Sequence, residues 1–329
     1  MVSACERSPF SLPAVDRVYV TKNIPSDHVE RLSDYDVGVW EGDGPVPRDI
    51  LLDEVGGARG LLCMLTDAID EELLDGAPHL AVVSQMAVGV DNIDLEACRG
   101  RGVVVGHTPD VLTETVADTA FALLASIVRR LPEGEREVRA GEWGPWELFH
   151  LAGGDLHGTT LGIVGMGRIG KAVARRAVGF DMKVVYSSPR AVEVDAERMS
   201  LADLLALADH VVLCTRLNEA TRGLISHGEF ARMKPTSYLV NISRGPVVDT
   251  DALVAALAGG RIAGAALDVT DPEPLPVEHP LLGLDNCLVV PHIASASVGT
   301  RRAMSALAVE NLVAGLRGDP LPAPYPAPG

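Results

Sequence analysis

The sequence predicts an α/β protein in which two doubly wound parallel sheets form two domains. Short runs rich in β-branched residues recur along the chain and alternate with helical patterns, which is typical of βαβ units. The runs fall into two series, and one long helical pattern separates them. The chain has 329 residues, more than one small core requires, so two domains are expected.

The first series supplies five predicted strands and leads into the separating helix. Residues 110–130 carry apolar side chains at Val116, Phe121, Leu124 and Ile127, a spacing that predicts a helix ended by Pro132. The five strands are predicted at Arg17–Thr21, Val37–Trp40, Gly60–Leu65, Leu80–Met86 and Val103–His107.

The second series supplies six predicted strands, and a helical pattern follows it at Val298–Leu316. Because the second sheet is complete before the chain ends, we expect this helix to pack back onto the first domain. The first domain is therefore predicted as discontinuous, 1–109 with 296–329, and the second as 110–295. The proline-rich end, Pro320–Pro328, is interpreted as an exposed tail. The six strands are predicted at Leu161–Gly165, Val184–Ser187, Val211–Cys214, Tyr238–Ser243, Ala263–Val269 and Cys287–His292.

Composition excludes several classes of function. A formal net charge of −17 argues against nucleic acid and anionic membrane surfaces as partners. No run of about 18 apolar residues could span a membrane, and residues 1–12 lack the pattern of a secretory signal. The five cysteines show neither a disulfide framework nor metal-ligand spacing. We expect a cytoplasmic protein without a metal site.

The strongest local motif follows the first strand of the second series. Residues 161–170 read LGIVGMGRIG, a strand that runs into G-x-G-x-x-G and then into a helix. Gly165 permits the tight turn, Gly167 lets the backbone approach a pyrophosphate, and Gly170 allows close packing of helix on strand. The helix N-terminus adds N–H donors. The motif predicts a Rossmann-like dinucleotide-binding domain over 110–295.

The end of the next strand favours NADP(H) over NAD(H), which stays possible. An acidic residue there would bind the ribose hydroxyls of NAD, but the chain has Ser187, Ser188, Pro189 and Arg190 instead. Two hydroxyl groups and a guanidinium can receive a 2′-phosphate. Arg216, at the end of a later strand, is expected to border the same pocket.

Three further residues lie at or just after the ends of three strands of the same series: Arg244, Glu273 and His292. Carboxyl ends of parallel strands share one edge of a sheet, so these side chains are expected to converge. Reduction of a 2-keto acid needs this set: a cation for the carboxylate, an acid for the carbonyl oxygen, and a carboxylate that keeps the acid protonated. Singly, they could be a surface ion-pair residue, a loop charge and a packed histidine.

Together these motifs resemble the D-2-hydroxyacid dehydrogenase family, and within it most closely the glyoxylate reductase/hydroxypyruvate reductase subgroup. The resemblance extends over nearly the whole chain. It includes the runs Met86–Asp91, His107–Thr113, Trp143–Trp146, Leu267–Leu282 and Asn311–Gly318.

The resemblance implies a flavodoxin-like substrate domain beside the dinucleotide domain, and a small anionic 2-keto acid as substrate. His292 would protonate the carbonyl oxygen, and Glu273 would hold the imidazole. Arg244 would bind the carboxylate together with the backbone N–H groups of Val88 and Gly89. Asp268 would contact the nicotinamide. The implied substrate contacts are Val88, Gly89, Arg244, Ser295 and Trp146, the last from the partner subunit of a homodimer formed through residues 110–130 and the segment after them.

The implied cofactor contacts form a larger set. It consists of Gly165, Gly167, Arg168, Ile169, Gly170, Ser187, Ser188, Arg190, Thr215, Arg216, Ile242 and Asp268.

Two alternatives share the scaffold. Phosphite dehydrogenase is expected to carry a lysine near Gly89, and residues 84–92 contain none. An NAD(H)-binding corepressor that binds short peptides would keep the same Arg, Glu and His. The subgroup-like run Thr270–Leu282 and Trp146 favour the enzyme.

Overall fold

The structure, a computed structural model, describes residues 15–325. Its strands alternate with helices along most of the chain, and no helix in this range is both long and apolar enough to cross a membrane. The strands are β1 (Arg17–Val20), β2 (Asp36–Val39), β3 (Gly60–Cys63), β4 (Val82–Gln85), β5 (Val104–Gly106), β6 (Thr160–Val164), β7 (Lys183–Ser187), β8 (Glu197–Arg198), β9 (His210–Leu213), β10 (Tyr238–Asn241), β11 (Gly264–Leu267) and β12 (Cys287–Val289).

The α-helices vary in length from one turn to more than five. They are α1 (Ser26–Val29), α2 (Arg48–Gly56), α3 (Glu71–Gly76), α4 (Leu95–Gly100), α5 (Thr113–Val128), α6 (Leu131–Ala140), α7 (Arg168–Ala177), α8 (Leu201–Leu207), α9 (His227–Phe230), α10 (Thr250–Ala258) and α11 (Val298–Arg317). Short 3₁₀ helices cover Glu30–Leu32, Val178–Phe180, Gly245–Val247 and Pro280–Gly283.

The described chain falls into two compact units, one of residues 15–109 with 302–325 and one of residues 110–301. In the first unit, five parallel strands lie in the order β2-β1-β3-β4-β5, which is the flavodoxin-like order. Helix α11 packs Val309 and Leu312 against Val18 and Val82 on one face of this sheet. The ends of the first predicted domain, residues 1–14 and 326–329, lie outside the described residues.

The second unit contains seven parallel strands in the order β12-β11-β10-β9-β6-β7-β8. The strand order reverses between β6 and β9, and dinucleotides bind at such a switch point in doubly wound sheets. Strands β9, β10 and β11 are buried on both faces: Val211, Leu239 and Ala265 lie on one face, and the buried Val212, Val240 and Ala266 lie on the other, as expected when helices cover both sides. The predicted fold class is therefore confirmed.

Two local predictions were wrong, and one short strand was missed. The helix predicted over 110–130 ends at Val128, and Pro132, predicted to stop it, lies instead in the first turn of α6, where a proline costs no hydrogen bond. Strand β8 was not predicted, because two residues carry no periodicity. The described part of the predicted exposed tail packs against the first sheet. Tyr325 N donates to Val105 O at 2.8 Å, so this segment covers the edge of β5 that no other strand pairs with.

Candidate active site

The glycine motif forms the turn between β6 and α7, and two of its three glycines, Gly165 and Gly170, are required sterically. Gly165 has φ +99°, and a Cβ there would lie 2.8 Å from the backbone of Cys214 and Thr215 after β9. A Cβ on Gly170 would lie 2.2 Å from the Gly165 carbonyl oxygen, whereas one on Gly167 would meet open space. The turn is thus closed on the protein side and open at Gly167, where a pyrophosphate could approach.

Helix α7 begins directly after this turn. Gly167 is its N-cap residue, and within residues 15–325 no side chain caps this end. The first N–H groups of a helix have no partner inside it and carry a partial positive charge, so they favour a phosphate. The loop and the helix therefore fit the pyrophosphate of a dinucleotide. Arg168, a predicted cofactor contact, lies on the exposed surface, where its Nε is 2.6 Å from Asp110 Oδ1.

The predicted ribose-recognition turn follows β7, and its strand end is tied to the glycine motif. Ser187 O accepts a hydrogen bond from Gly165 N at 2.8 Å. Ser188 is half-buried and Arg190 exposed. An arginine that the sequence analysis missed lies here: Arg198 on β8 donates from Nε to Ser188 O at 3.0 Å and from Nη2 to Pro189 O at 2.9 Å. The turn therefore carries two guanidinium groups rather than one.

The residues predicted to do the chemistry follow three neighbouring strands, β10, β11 and β12. Asp268 comes directly after β11 and organises the loop after β12. Its backbone carbonyl accepts from His292 N at 2.9 Å, its Oδ1 from Ile293 N at 2.7 Å and its Oδ2 from Ala294 N at 3.0 Å. Three successive N–H groups thus converge on Asp268, which holds His292 at a left-handed φ of +52°. Contact of Asp268 with the nicotinamide stays a prediction.

His292 and Glu273 form a hydrogen-bonded pair. His292 Nδ1 donates to Glu273 Oε1 at 2.6 Å, and their side chains are 24% and 35% exposed. Burial acts to raise the pKa of Glu273, but the hydrogen bond from His292 and the charges of His292 and Arg244 outweigh it, and the pKa lies below its usual 4.5. An ionised carboxylate can only accept, so the proton lies on Nδ1. Nε2 then faces away from Glu273.

This depressed pKa predicts how Glu273→Gln changes stability with pH. The carboxylate stabilises the fold fully above its unfolded pKa of about 4.5, and the contribution is lost as the pH falls through the lower folded value. The difference in unfolding free energy between wild type and Glu273→Gln should persist above pH 4.5 and shrink below it, measured by urea denaturation from pH 3 to 7. Glu278→Gln, at an exposed position of the same loop, is the control. A difference unchanged down to pH 3 would contradict the pairing.

Arg244 is positioned by its own turn. Asn241, at the end of β10, donates from Nδ2 to Arg244 O at 2.9 Å, and its Oδ1 accepts from Ser243 N at 3.0 Å. One guanidinium nitrogen of Arg244, Nη1, donates to Ser243 O at 2.9 Å. Asn241 is buried, and the sequence analysis did not assign it a role.

Gly245 brings the arginine turn and the glutamate loop together. A Cβ at this position would lie 1.8 Å from Thr270 O, so the two backbones touch where only hydrogen fits. Thr270 in turn directs the loop, because its Oγ1 donates to Pro272 O at 2.8 Å. The close approach explains how the charge of Arg244 reaches Glu273.

The remaining predicted residues are more scattered. Ile242 is buried and Ser295 half-buried in the second unit, and Thr215 lies against the glycine turn. Arg216 is exposed, whereas Ile169 is half-buried on α7. Val88 and Gly89 lie in the first unit, in the loop after β4, and both are half-buried.

Trp146 lies in a segment, residues 141–150, in which every side chain is exposed. The exposed fractions of Trp143 and Trp146 are 76% and 83%, and Leu148 and Phe149 are also exposed. Such a concentration of large apolar side chains on a surface is typical of a protein contact. Helix α5, also predicted for the dimer contact, buries Phe121 and most of its other apolar side chains within its own unit.

Comparison with known proteins identifies the family. Residues 121–294 match the family model described as D-isomer specific 2-hydroxyacid dehydrogenase, NAD binding domain. The chain belongs to the D-2-hydroxyacid dehydrogenase family. It is accordingly an NAD(P)-dependent enzyme, and the predicted resemblance is confirmed.

Two curated relatives of this D-2-hydroxyacid dehydrogenase are similar over nearly their full length. The Homo sapiens glyoxylate reductase/hydroxypyruvate reductase is 47% identical over 316 residues, which cover 93% of this chain and 96% of the relative. The glyoxylate reductase of Pyrococcus horikoshii is 45% identical over 313 residues, covering 92% and 93%.

Solved structures show the same fold. A protein from Thermus thermophilus is 46% identical with a TM-score of 0.90, covering 94% of this dehydrogenase and 100% of that chain. An NADPH-dependent glyoxylate/hydroxypyruvate reductase from Sinorhizobium meliloti, in complex with NADP and malonate, is 35% identical with a TM-score of 0.84, covering 94% and 96%.

Proposed function

We propose that this D-2-hydroxyacid dehydrogenase reduces a small 2-keto acid, glyoxylate or hydroxypyruvate, to the D-2-hydroxy acid with NAD(P)H. The observation that carries the proposal is the His292–Glu273 pair, 2.6 Å apart, on the strand edge that also carries Arg244. The named relatives and the solved reductase support the same substrates. They do not favour the corepressor or phosphite dehydrogenase alternatives.

The residues of the glycine turn and the N-terminus of α7 fit the dinucleotide and would hold its pyrophosphate. When bound, the reduced nicotinamide supplies the hydride. We include in the proposal that 110–295 is the dinucleotide-binding domain, although the compact unit extends to Arg301. The substrate domain is then 1–109 with 296–329.

The chain's own groups supply the proton and the binding of the anion. His292 donates its Nε2 proton to the carbonyl oxygen of the substrate, while Nδ1–H stays bonded to Glu273. The imidazole is therefore left as the neutral Nδ1–H tautomer, so the pair need not rearrange. Arg244 presents a planar fork that binds a carboxylate in two hydrogen bonds. As expected from the sequence resemblance, the backbone N–H groups of Val88 and Gly89 are proposed as further donors to that carboxylate.

A spectrophotometric panel tests the activity. Glyoxylate, hydroxypyruvate, pyruvate and phosphite are each supplied to the purified chain, the keto acids with NADPH or NADH and phosphite with NADP⁺ or NAD⁺. We expect oxidation of reduced cofactor with glyoxylate and hydroxypyruvate. Turnover of phosphite alone, or of none of the four, would refute the proposal.

The proposed cofactor preference is for NADP(H), with NAD(H) as the weaker alternative. Besides Ser187, Ser188 and Arg190, the turn after β7 is braced by Arg198, so two guanidinium groups are placed to meet a 2′-phosphate. We expect the double variant Arg190→Ala/Arg198→Ala to lower kcat/KM for NADPH by about tenfold or more, since hydrogen bonds to a charged group contribute about 1.5–3 kcal/mol. The value for NADH should fall less, because NADH has no 2′-phosphate and loses only the bracing of the turn by Arg198.

Arg99→Ala, at an exposed position on α4 of the first unit, is the control for this pair of changes. Steady-state rates at limiting NADPH and NADH give the comparison. A wild-type enzyme that prefers NADH would remove the NADP assignment.

We further propose that the enzyme is a homodimer whose contact includes residues 141–150. Trp146→Ser together with Phe149→Ser should shift the mass measured by size-exclusion chromatography with light scattering from two chains toward one. A wild-type chain that is already monomeric at micromolar concentration would contradict this. A cytoplasmic location stays a prediction.

A further inference from the structure

The loop of residues 87–89 follows β4 in the first unit, and its three carbonyl groups are all bound. Ala87 O accepts from Thr108 N at 2.9 Å. Val88 O accepts from His107 Nδ1 at 3.0 Å, and Gly89 O accepts from Gln85 Nε2 at 3.3 Å. Two of these three donors are side chains, and Gln85 is fully buried.

Fixing a carbonyl also fixes the N–H of the same peptide. In a planar trans peptide the C=O and N–H bonds point in opposite directions. Because residues 107 and 108 hold the carbonyl oxygens of Ala87 and Val88, the N–H groups of Val88 and Gly89 point away from them. Within residues 15–325 neither N–H has an acceptor. The loop therefore presents two adjacent donors in a set direction, which suits an anion.

His107 is itself held firmly in place. Its exposed fraction is 8%, and its backbone carbonyl accepts from the buried Asn311 Nδ2 at 2.9 Å. Its N donates to Ala323 O at 3.1 Å, and its ring meets Tyr325 edge to face, with 5.0 Å between centroids. Both the backbone and the ring are thus fixed by α11 and the chain after it.

We propose that His107 is a positioning residue that aims the Gly89 N–H at the substrate carboxylate by holding the Val88 carbonyl. The inference rests on the proposed function, since it concerns donors that the reductase would use. In this role His107 acts through the Val88 carbonyl and not on the substrate itself. Its loss should weaken binding of the carboxylate in the ground state and the transition state alike, so KM rises while kcat stays close to wild type.

Two substitutions separate the hydrogen bond from the packing. His107→Phe keeps the ring beside Tyr325 but removes the donor. His107→Asn removes the ring but keeps an N–H donor one bond beyond Cγ, the position of Nδ1. We expect His107→Phe to raise KM for glyoxylate about five- to tenfold, the loss of one such hydrogen bond, with kcat within about twofold. His107→Asn should restore most of the affinity.

Binding of oxalate provides a readout that does not depend on turnover. Calorimetric titration with oxalate, at saturating oxidised cofactor, should show the same order: wild type and His107→Asn bind similarly, and His107→Phe more weakly. His79→Phe, an exposed histidine of the same unit, is the matched control. Should His107→Phe fail to fold, His107→Ala replaces it, and added imidazole should restore its oxalate affinity.

The outcomes distinguish the two proposals. Equal KM and equal oxalate affinity in all variants would overturn the role of His107 and leave the reductase activity standing. The role of His107 is also overturned if His107→Phe behaves as wild type while His107→Asn loses affinity, because packing and not donation would then matter. The proposed function alone would be overturned if the oxalate affinities of wild type and variants follow the expected order but the wild type reduces no keto acid.

Discussion

Replacing His292 with alanine should lower kcat for glyoxylate reduction by about 10²–10⁴-fold, the usual cost of losing a general acid. The proton on the carbonyl oxygen would have to come from water, which is neither oriented nor acidic enough at neutral pH. The affinity for the dinucleotide should change little, because the glycine turn after β6 does not involve His292. Stopped-flow reduction and a fluorescence titration with the reduced cofactor measure the two quantities.

The control for this change is His157→Ala, since His157 is 80% exposed in the same unit. The kcat of Glu273→Gln should lie between those of wild type and His292→Ala, because the imidazole is still present but its charged form loses its carboxylate partner. Turnover of His292→Ala within a factor of about three of wild type would remove His292 from the mechanism, since a general acid contributes far more.

Replacing Arg244 with lysine should lower kcat/KM for the keto acid by about 10- to 100-fold. An ammonium group keeps the charge but offers a point donor in place of a planar fork, so a two-hydrogen-bond contact worth about 1.5–3 kcal/mol is lost. Arg244 Nη1 also bonds to Ser243 O, which a lysine in this turn cannot reproduce in the same plane.

Most of the loss in Arg244→Lys should appear in KM, and Arg244→Gln should lose more than Arg244→Lys because the charge goes as well. Arg232→Lys, at an exposed position after α9, is the control. An unaltered KM for glyoxylate in both Arg244 variants would show that another cation binds the carboxylate.

The fold was largely predictable because both sheets are parallel and buried. Buried strands such as β9, in which His210 is followed by the buried apolar residues Val211, Val212 and Leu213, give short apolar runs that stand out in a sequence. Helix α6 was missed for a local reason. Pro132 can end one helix or lie in the first turn of the next, and the left-handed backbone conformation of Arg130, which separates the two helices, is not evident from the sequence. The hydrogen bond from Tyr325 N to Val105 O of β5 joins residues more than 200 positions apart in the chain, so no local sequence pattern predicts it.

The residues of the candidate site were predictable from the sequence, whereas the residues that position them were not. Arg244, Glu273 and His292 follow strands whose order places their ends together. The groups that hold them are ordinary in sequence: Asn241 falls inside the predicted strand Tyr238–Ser243, and Gly245 is one of many glycines. His107 bonds to Val88 O in the loop after β4, and Arg198 bonds to carbonyls of a turn nine and ten residues away. Such links appear only once the chain is folded.

The order of the seven-stranded sheet has a consequence for how this enzyme could change over evolution or in the laboratory. The turn proposed to meet the ribose lies on the β7–β8 side, whereas the arginine, glutamate and histidine follow β10, β11 and β12, with β6 and β9 between them. Substitutions that exchange one nicotinamide cofactor for the other can therefore accumulate at one end of the sheet without disturbing proton transfer at the other. The two traits are open to separate selection within one domain.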